Sequence, residues 1–165
     1  MKLANIAMGA LALVSATTAM ADVTVDITGA TAFRVAALDT IKSRFVAGGS
    51  FKFAHDKSAG GFNGSNKAVF IGTFPGVPGT TTIRTSFNGS VEGVRAIVLG
   101  GSANPSFLQP SVLGSTSASP AGTEVASTTG PSTNELAEFA FSDVSIAATP
   151  YAGATVEPAD AAVGV

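Results

Sequence analysis

Three short stretches carry side chains with the chemistry to hold a small anion. Thr28-Gly29-Ala30-Thr31 and Asn88-Gly89-Ser90 place polar side chains and a glycine where a strand-like run gives way to a helical one. Ser142-Asp143 closes a short apolar run. A strand that feeds a helix through such a turn aims the first helical N–H groups at the mouth of a cleft. Orphan donors and the positive end of the helix dipole coincide there, so the place favours anions. An acid at the carboxyl end of a strand lies on the rim where open α/β sheets bind ligands. Each residue also has a plainer role open to it. Thr31 and Ser90 suit helix N-caps, and Asp143 suits a turn cap; Arg34 and Arg95, just inside the two helices, could reach an anion but better suit a solvated or salt-bridged surface.

The same inventory argues against catalysis and against a metal or cofactor. The chain has no cysteine, so it offers no thiol nucleophile, thiolate zinc site or iron–sulfur cluster. His55 is the only histidine. It sits beside Asp56 in what reads as a polar loop, and one His with one Asp is not a metal site. No G-x-S-x-G elbow accompanies it, and Asn88 to Gly93 lacks the lysine of a phosphate-binding P-loop. A hydrolase using Asp143 or Glu92 as acid–base has the least support, because neither paired carboxylates nor a nucleophile–base set occurs at usable spacing.

The elements that must position these residues follow from periodicity. Val23, Val25 and Ile27 alternate with Asp22, Thr24, Asp26 and Thr28, the period of a half-buried strand. Val35, Leu38, Ile41 and Phe45 then recur at helical spacing, and the helix should stop at Ala47-Gly48-Gly49. Residues 50–54, 67–74 and 80–86 read as strands, separated by a polar Gly-rich turn region at 55–66 and a Pro/Gly turn at 75–79. Val91, Val94 and Val98 begin a second helical stripe, with Ser90 or Asn88 as its N-cap and Glu92 suiting the dipole of its first turn. Within residues 100–133, rich in Gly, Ser, Thr, Ala and Pro, Phe107, Leu108, Val112 and Leu113 could tuck one segment against the core, and the remainder reads as a long loop. A helical turn around Glu135 to Glu138 should lead into a buried strand at Phe139 to Phe141. The eleven phenylalanines read as core.

Residues 1–21 read as a secretory signal: a Lys2 n-region, an apolar run over 3–14 broken by Asn5, and an Ala19-Met20-Ala21 cleavage site. The run is too short for a stable membrane span. Residues 22–165 then form one domain with room for a core. Nine basic residues stand against eleven acidic, a net charge of −2. No basic patch marks a nucleic-acid partner, so a small anion must be held by local dipoles. Export suggests a periplasmic or cell-surface location in a bacterium. The apolar ending at 162–165 reads as the opening of another strand, from which a truncated chain is expected.

In order and spacing, these three units resemble the first lobe of a type-II periplasmic solute-binding protein, most nearly the phosphate-binding proteins of ABC uptake systems. The counterparts of that family's turns are Thr28-Gly29-Ala30-Thr31-Ala32-Phe33, then Asn88-Gly89-Ser90-Val91-Glu92-Gly93, then Phe141-Ser142-Asp143. The first turn is one residue shorter than the family's, and Val91-Glu92 replaces small residues. The resemblance implies an α/β fold with an open mixed sheet and flanking helices. It also implies a non-catalytic role: capture of phosphate or another small oxyanion for an ABC transporter membrane component. Thr31, with the N–H groups near Ala32 and Phe33, and Ser90 would donate to the anion, and Asp143 would accept from its proton. A second lobe would supply an arginine and further hydroxyls. The alternative is a non-transport extracytoplasmic or cell-surface structural protein that keeps the fold without the ligand.

Overall fold

The computed structural model describes residues 21–47, 50–56, 61–114, 123–126 and 130–154. All but the last residue of the expected leader over 1–21, the helix-ending glycines 48–49 and the apolar ending at 162–165 lie outside them.

Alternation and β-branching put the first strand, β1, at Val23–Gly29. A 3-10 turn, Thr31–Phe33, leads into helix α1 at Arg34–Arg44. The helix ends three residues before the expected glycines, at Phe45, whose backbone is extended. Strands β2 (Lys52–His55), β3 (Lys67–Gly72) and β4 (Thr81–Ser86) follow, and helix α2 spans Ser90–Leu99.

The expected long loop is more structured than its composition suggested. It holds β5 (Ser106–Leu108), a 3-10 turn at Pro110–Leu113, β6 (Thr123–Ala126) and β7 (Ser132–Asn134). Phe107, Leu108 and Leu113 are buried, as expected, with Val112 packed beside them, whereas β6 and β7 are held by pairing. β5 pairs antiparallel with β7, and β6 pairs parallel with β2. Residues 135–138 form no helical turn, because their backbone is drawn out alongside β1. The last strand is β8 (Phe139–Phe141).

The main sheet has the order β6-β2-β3-β4-β1-β8. Only β3 opposes the direction of the other five, so the sheet is mixed. The carboxyl ends of β4, β1 and β8, three neighbouring parallel strands, therefore share one rim. Successive side chains point to opposite faces of a strand, and the two faces differ. One face holds Leu38 and Ile41 of α1 against Phe45, Phe51, Phe53, Phe62, Phe70, Ile83 and Phe87. Phe45 stacks on Phe51 with ring centroids 4.9 Å apart, and Phe62 meets Phe53 edge-on at 5.2 Å. Burial of each such ring contributes about 1.5–3 kcal/mol. The other face carries a second cluster of Ala54, Val69, Leu108 and Leu113.

β1 departs from the half-buried pattern. Its apolar positions are incompletely covered, with Val23 36% exposed and Val25 and Ile27 half-buried. Its polar Asp26 and Thr28 are buried. Likewise β8 is an edge strand rather than a buried run, and Phe139 is 45% exposed. The polar face of β1 is satisfied across the ladder. Thr28 Oγ1 donates to the Ser86 carbonyl at 2.7 Å. Arg84, the register partner of Asp26, donates from Nε to Oδ1 at 2.6 Å and from Nη2 to Oδ2. The Phe107 ring lies 5.5 Å from the guanidinium carbon. Glu138 closes the far side, its carboxylate accepting the Asp26 N–H while its own N–H donates to the Asp26 carbonyl at 2.9 Å.

A buried ion pair of this kind is costly to halve and cheap to replace whole. Arg84→Met is expected to cost about 3–5 kcal/mol, and Asp26→Leu with Arg84→Met to recover most of that loss. Urea unfolding midpoints of the single and double variants check it. Burial pushes the Asp26 carboxyl above the usual aspartate range; Arg84 opposes this, and Glu138 and Glu135 add to it. The stability contributed by this group is therefore full below the unfolded aspartate's range and is lost as pH rises through the raised folded value. The Asp26 carboxyl carbon should accordingly titrate with a midpoint above that of a model aspartate. A midpoint below it would sink the expectation.

Candidate functional site

The rim of β4, β1 and β8 brings together the ends of all three stretches singled out in the sequence. Their meeting point is Gly29, the last residue of β1. Gly29 has φ +118°, a region that side chains rarely enter, and a Cβ built on it would lie 2.0 Å from the Phe141 carbonyl oxygen. Its own carbonyl accepts the Gly89 N–H at 2.9 Å, and the next residue, Ala30, donates to the Phe141 carbonyl at 2.8 Å. One residue thus ties the β1–α1 turn to both the β4–α2 turn and the end of β8. Gly93 in α2 completes the junction, since a Cβ there would come within 2.6 Å of Gly29 Cα. Only a helix without a side chain at this point can sit so close to the sheet.

The predicted site residues take up different roles. Thr31 and Ala32 are exposed in the 3-10 turn, and their N–H groups have no protein acceptor among the described residues. The Phe33 N–H is committed, donating to the Ala30 carbonyl at 3.2 Å. The Phe33 ring is 40% exposed and leans on Phe141 at 5.8 Å between centroids. At the second turn neither expected N-cap acts as one. Gly89 flanks the helix with no side-chain cap, and Asn88 turns back so that Nδ2 donates to Ser86 Oγ at 3.0 Å. Ser90 is the first helical residue, and its hydroxyl donates to Asp143 Oδ1. The first hydrogen bond into α2 comes from the Gly93 N–H to the Gly89 carbonyl at 3.0 Å. The N–H groups of Ser90, Val91 and Glu92 have no protein acceptor among the described residues.

Ser90 and Asp143, 53 residues apart, are therefore in direct contact at the α2 N-terminus. The exposed Asp143 carboxylate stands beside the positive end of that helix, where negative charge is stabilised. Glu92 is drawn away from the rim by Arg95, at 3.0 Å across one helical turn. The arrangement offers hydrogen-bond donors from two helix starts and one carboxylate acceptor.

His55 lies elsewhere and is not in a polar loop. It is the last residue of β2, 1% exposed, with Nδ1 2.9 Å from Ser65 Oγ and its ring edge-on to Phe62. Among the described residues no group of three or more His, Cys, Asp or Glu side chains is placed to hold a metal, and no helix is long and apolar enough to cross a membrane. Sequence reasoning gave Arg34 a surface role, whereas the structure ties it to the neighbouring turn. Its Nη1 donates to Asn66 Oδ1, and the Asn66 carbonyl accepts the Phe87 N–H at 2.8 Å. The signal in the sequence was its place one turn after Thr31.

In comparison with known proteins, no family model, curated protein or solved structure matches the chain.

The close approach at Gly29 makes a specific demand on α2. Gly93→Ala forces backbone apart and is expected to cost about 1–3 kcal/mol. Gly101→Ala, where an added Cβ meets nothing within 4 Å, should stay within about 0.5 kcal/mol of the native chain. Equal unfolding midpoints for the two variants would show that the junction is not as tight as described.

Proposed function

We propose that the chain is an exported solute-binding lobe that holds a small protonated oxyanion, phosphate in the first instance, without catalysis. The observation that carries this reading is the convergence of two helix starts, with unengaged N–H groups, and one exposed carboxylate on the rim of three adjacent parallel strands. Thr31 and Ala32 donate from the α1 side, and Ser90 and Val91 from the α2 side. Phe33 contributes its ring to the wall rather than its N–H. Asp143 meets the anion through the anion's own proton, because a bare carboxylate against a dianion is repulsive. Phosphate, which keeps a proton near neutral pH, is favoured over sulfate on this ground. The type-II binding-protein fold and delivery to an ABC-type membrane component belong to the same proposal. In it this lobe forms one wall of a two-walled site, with closure on the ligand supplied by a second lobe.

The Ser90–Asp143 hydrogen bond favours a second reading. The two side chains satisfy each other without any ligand, as they would in a structural extracytoplasmic protein that keeps the fold alone. Phosphate titration of the full chain, followed by amide shifts, separates the two. The binding reading expects shifts at Thr31, Ala32, Ser90 and Val91 that saturate no tighter than about 1 mM, are weaker with sulfate, and are lost in Asp143→Asn and Ser90→Ala. The structural reading expects no rim shifts well past that range, with the same variants changing stability alone, by about 1 kcal/mol.

A further inference from the structure

We infer that Arg34 supplies the positive charge that draws the oxyanion to the rim and holds it beside Thr31; this rests on the anion-binding reading of the site. Among the described residues the rim is otherwise poor in positive charge. Asp143 and Glu92 both stand on the α2 side, and Arg95 is engaged with Glu92. Lys67 donates to Ser106 Oγ at 3.0 Å, toward the β5 ribbon. Arg34 has no carboxylate partner among the described residues. Its Nη1 is tethered to a neutral amide, Asn66 Oδ1, and its Nε is enclosed without an acceptor.

The tether is itself fixed. The Asn66 N–H donates to Asp56 Oδ1 at 3.0 Å, and the Asn66 carbonyl holds the Phe87 N–H at the exit of β4. Arg34 follows Thr31 by three residues on a continuous helical stretch, which makes the two side chains neighbours on one face. A guanidinium fork matches the oxygens of an oxyanion. Held at the β1–α1 turn by Asn66 with its charge unneutralised, it balances the carboxylates across the rim.

The test is inorganic phosphate added to the full chain, read by rim amide shifts at two NaCl concentrations. The native protein is compared with Arg34→Gln, Arg34→Lys and Arg44→Gln. Arg44 ends the same helix, roughly 15 Å away along its axis, so its variant changes net charge equally at a distance where salt screens the effect. Arg34→Gln is expected to weaken binding about tenfold and to flatten its salt dependence. Arg34→Lys keeps the salt dependence, and Arg44→Gln matches the native chain. Native binding with Arg34→Gln unchanged in affinity and salt slope overturns the inference and leaves the site reading standing. No rim shifts in the native chain overturn both. If Arg34→Gln fails to fold, the native Arg34 Nε–H resonance decides: it must move as phosphate binds, and a static signal beside shifting rim amides rejects the role.

Discussion

The rim exists because three backbones come closer at Gly29 than side chains would allow. Strand β1 must end in a left-handed conformation against the Phe141 carbonyl, and α2 must cross with Gly93 against Gly29 Cα. These contacts are steric, so they admit little variation. They set the separation of the two helix starts and bring the end of β8 beside α2. Ser90 can reach Asp143 only because of this closeness. The hydrogen bonds at the same place, from Gly89 and Ala30, satisfy groups that would otherwise be orphaned where strands give way to turns.

A second constraint lies one turn of sheet below the rim. Asp26 and Arg84 face each other across β1 and β4 in a buried pair, with Glu138 bound to the backbone of Asp26. The pair fixes the register of β1 on β4, since a slip by one residue would leave both charges buried and unpaired. Glu138 extends the same logic to β8, whose three residues make a short ladder. Register at the base thus determines what meets at the top, and Asp143 occupies its place because Glu138 holds its own.

The distribution of apolar surface follows from where α1 lies. Its core contacts run to β2, β3 and β4, and Val25 and Ile27 only flank that cluster. The apolar side of β1 and the edge strand β8 are left partly open, with Val23, Phe33 and Phe139 at the surface. The polar side of β1 is met instead by α2, at Gly93, while Phe107 of β5 lies over Arg84, the partner of Asp26. Burial on that side is tolerated because each polar group finds a partner across the ladder.

Local pattern determined much of this molecule. Alternation in β1, the stripe of Leu38 and Ile41, and the turns at Gly29 and Gly89 marked a mixed α/β chain whose hydroxyls and one carboxylate belong at strand ends. These are short-range signals, written in spacing and in the conformational freedom of glycine. Tertiary structure decided what spacing does not encode. It drew β6 and β7 out of a Gly/Ser/Thr-rich stretch through pairing with distant strands, whereas Phe107 and Leu108 had already marked the β5 segment as one that meets the core. It left Phe139 at an edge and took His55 into the core. It removed Phe33 from the donor set by spending its N–H within the 3-10 turn. It joined Ser90 to Asp143 and Arg34 to Asn66, pairs that are far apart in sequence. Each outcome depends on which strand lies beside which, and strand order is settled by the summed packing of the whole sheet rather than by any segment alone.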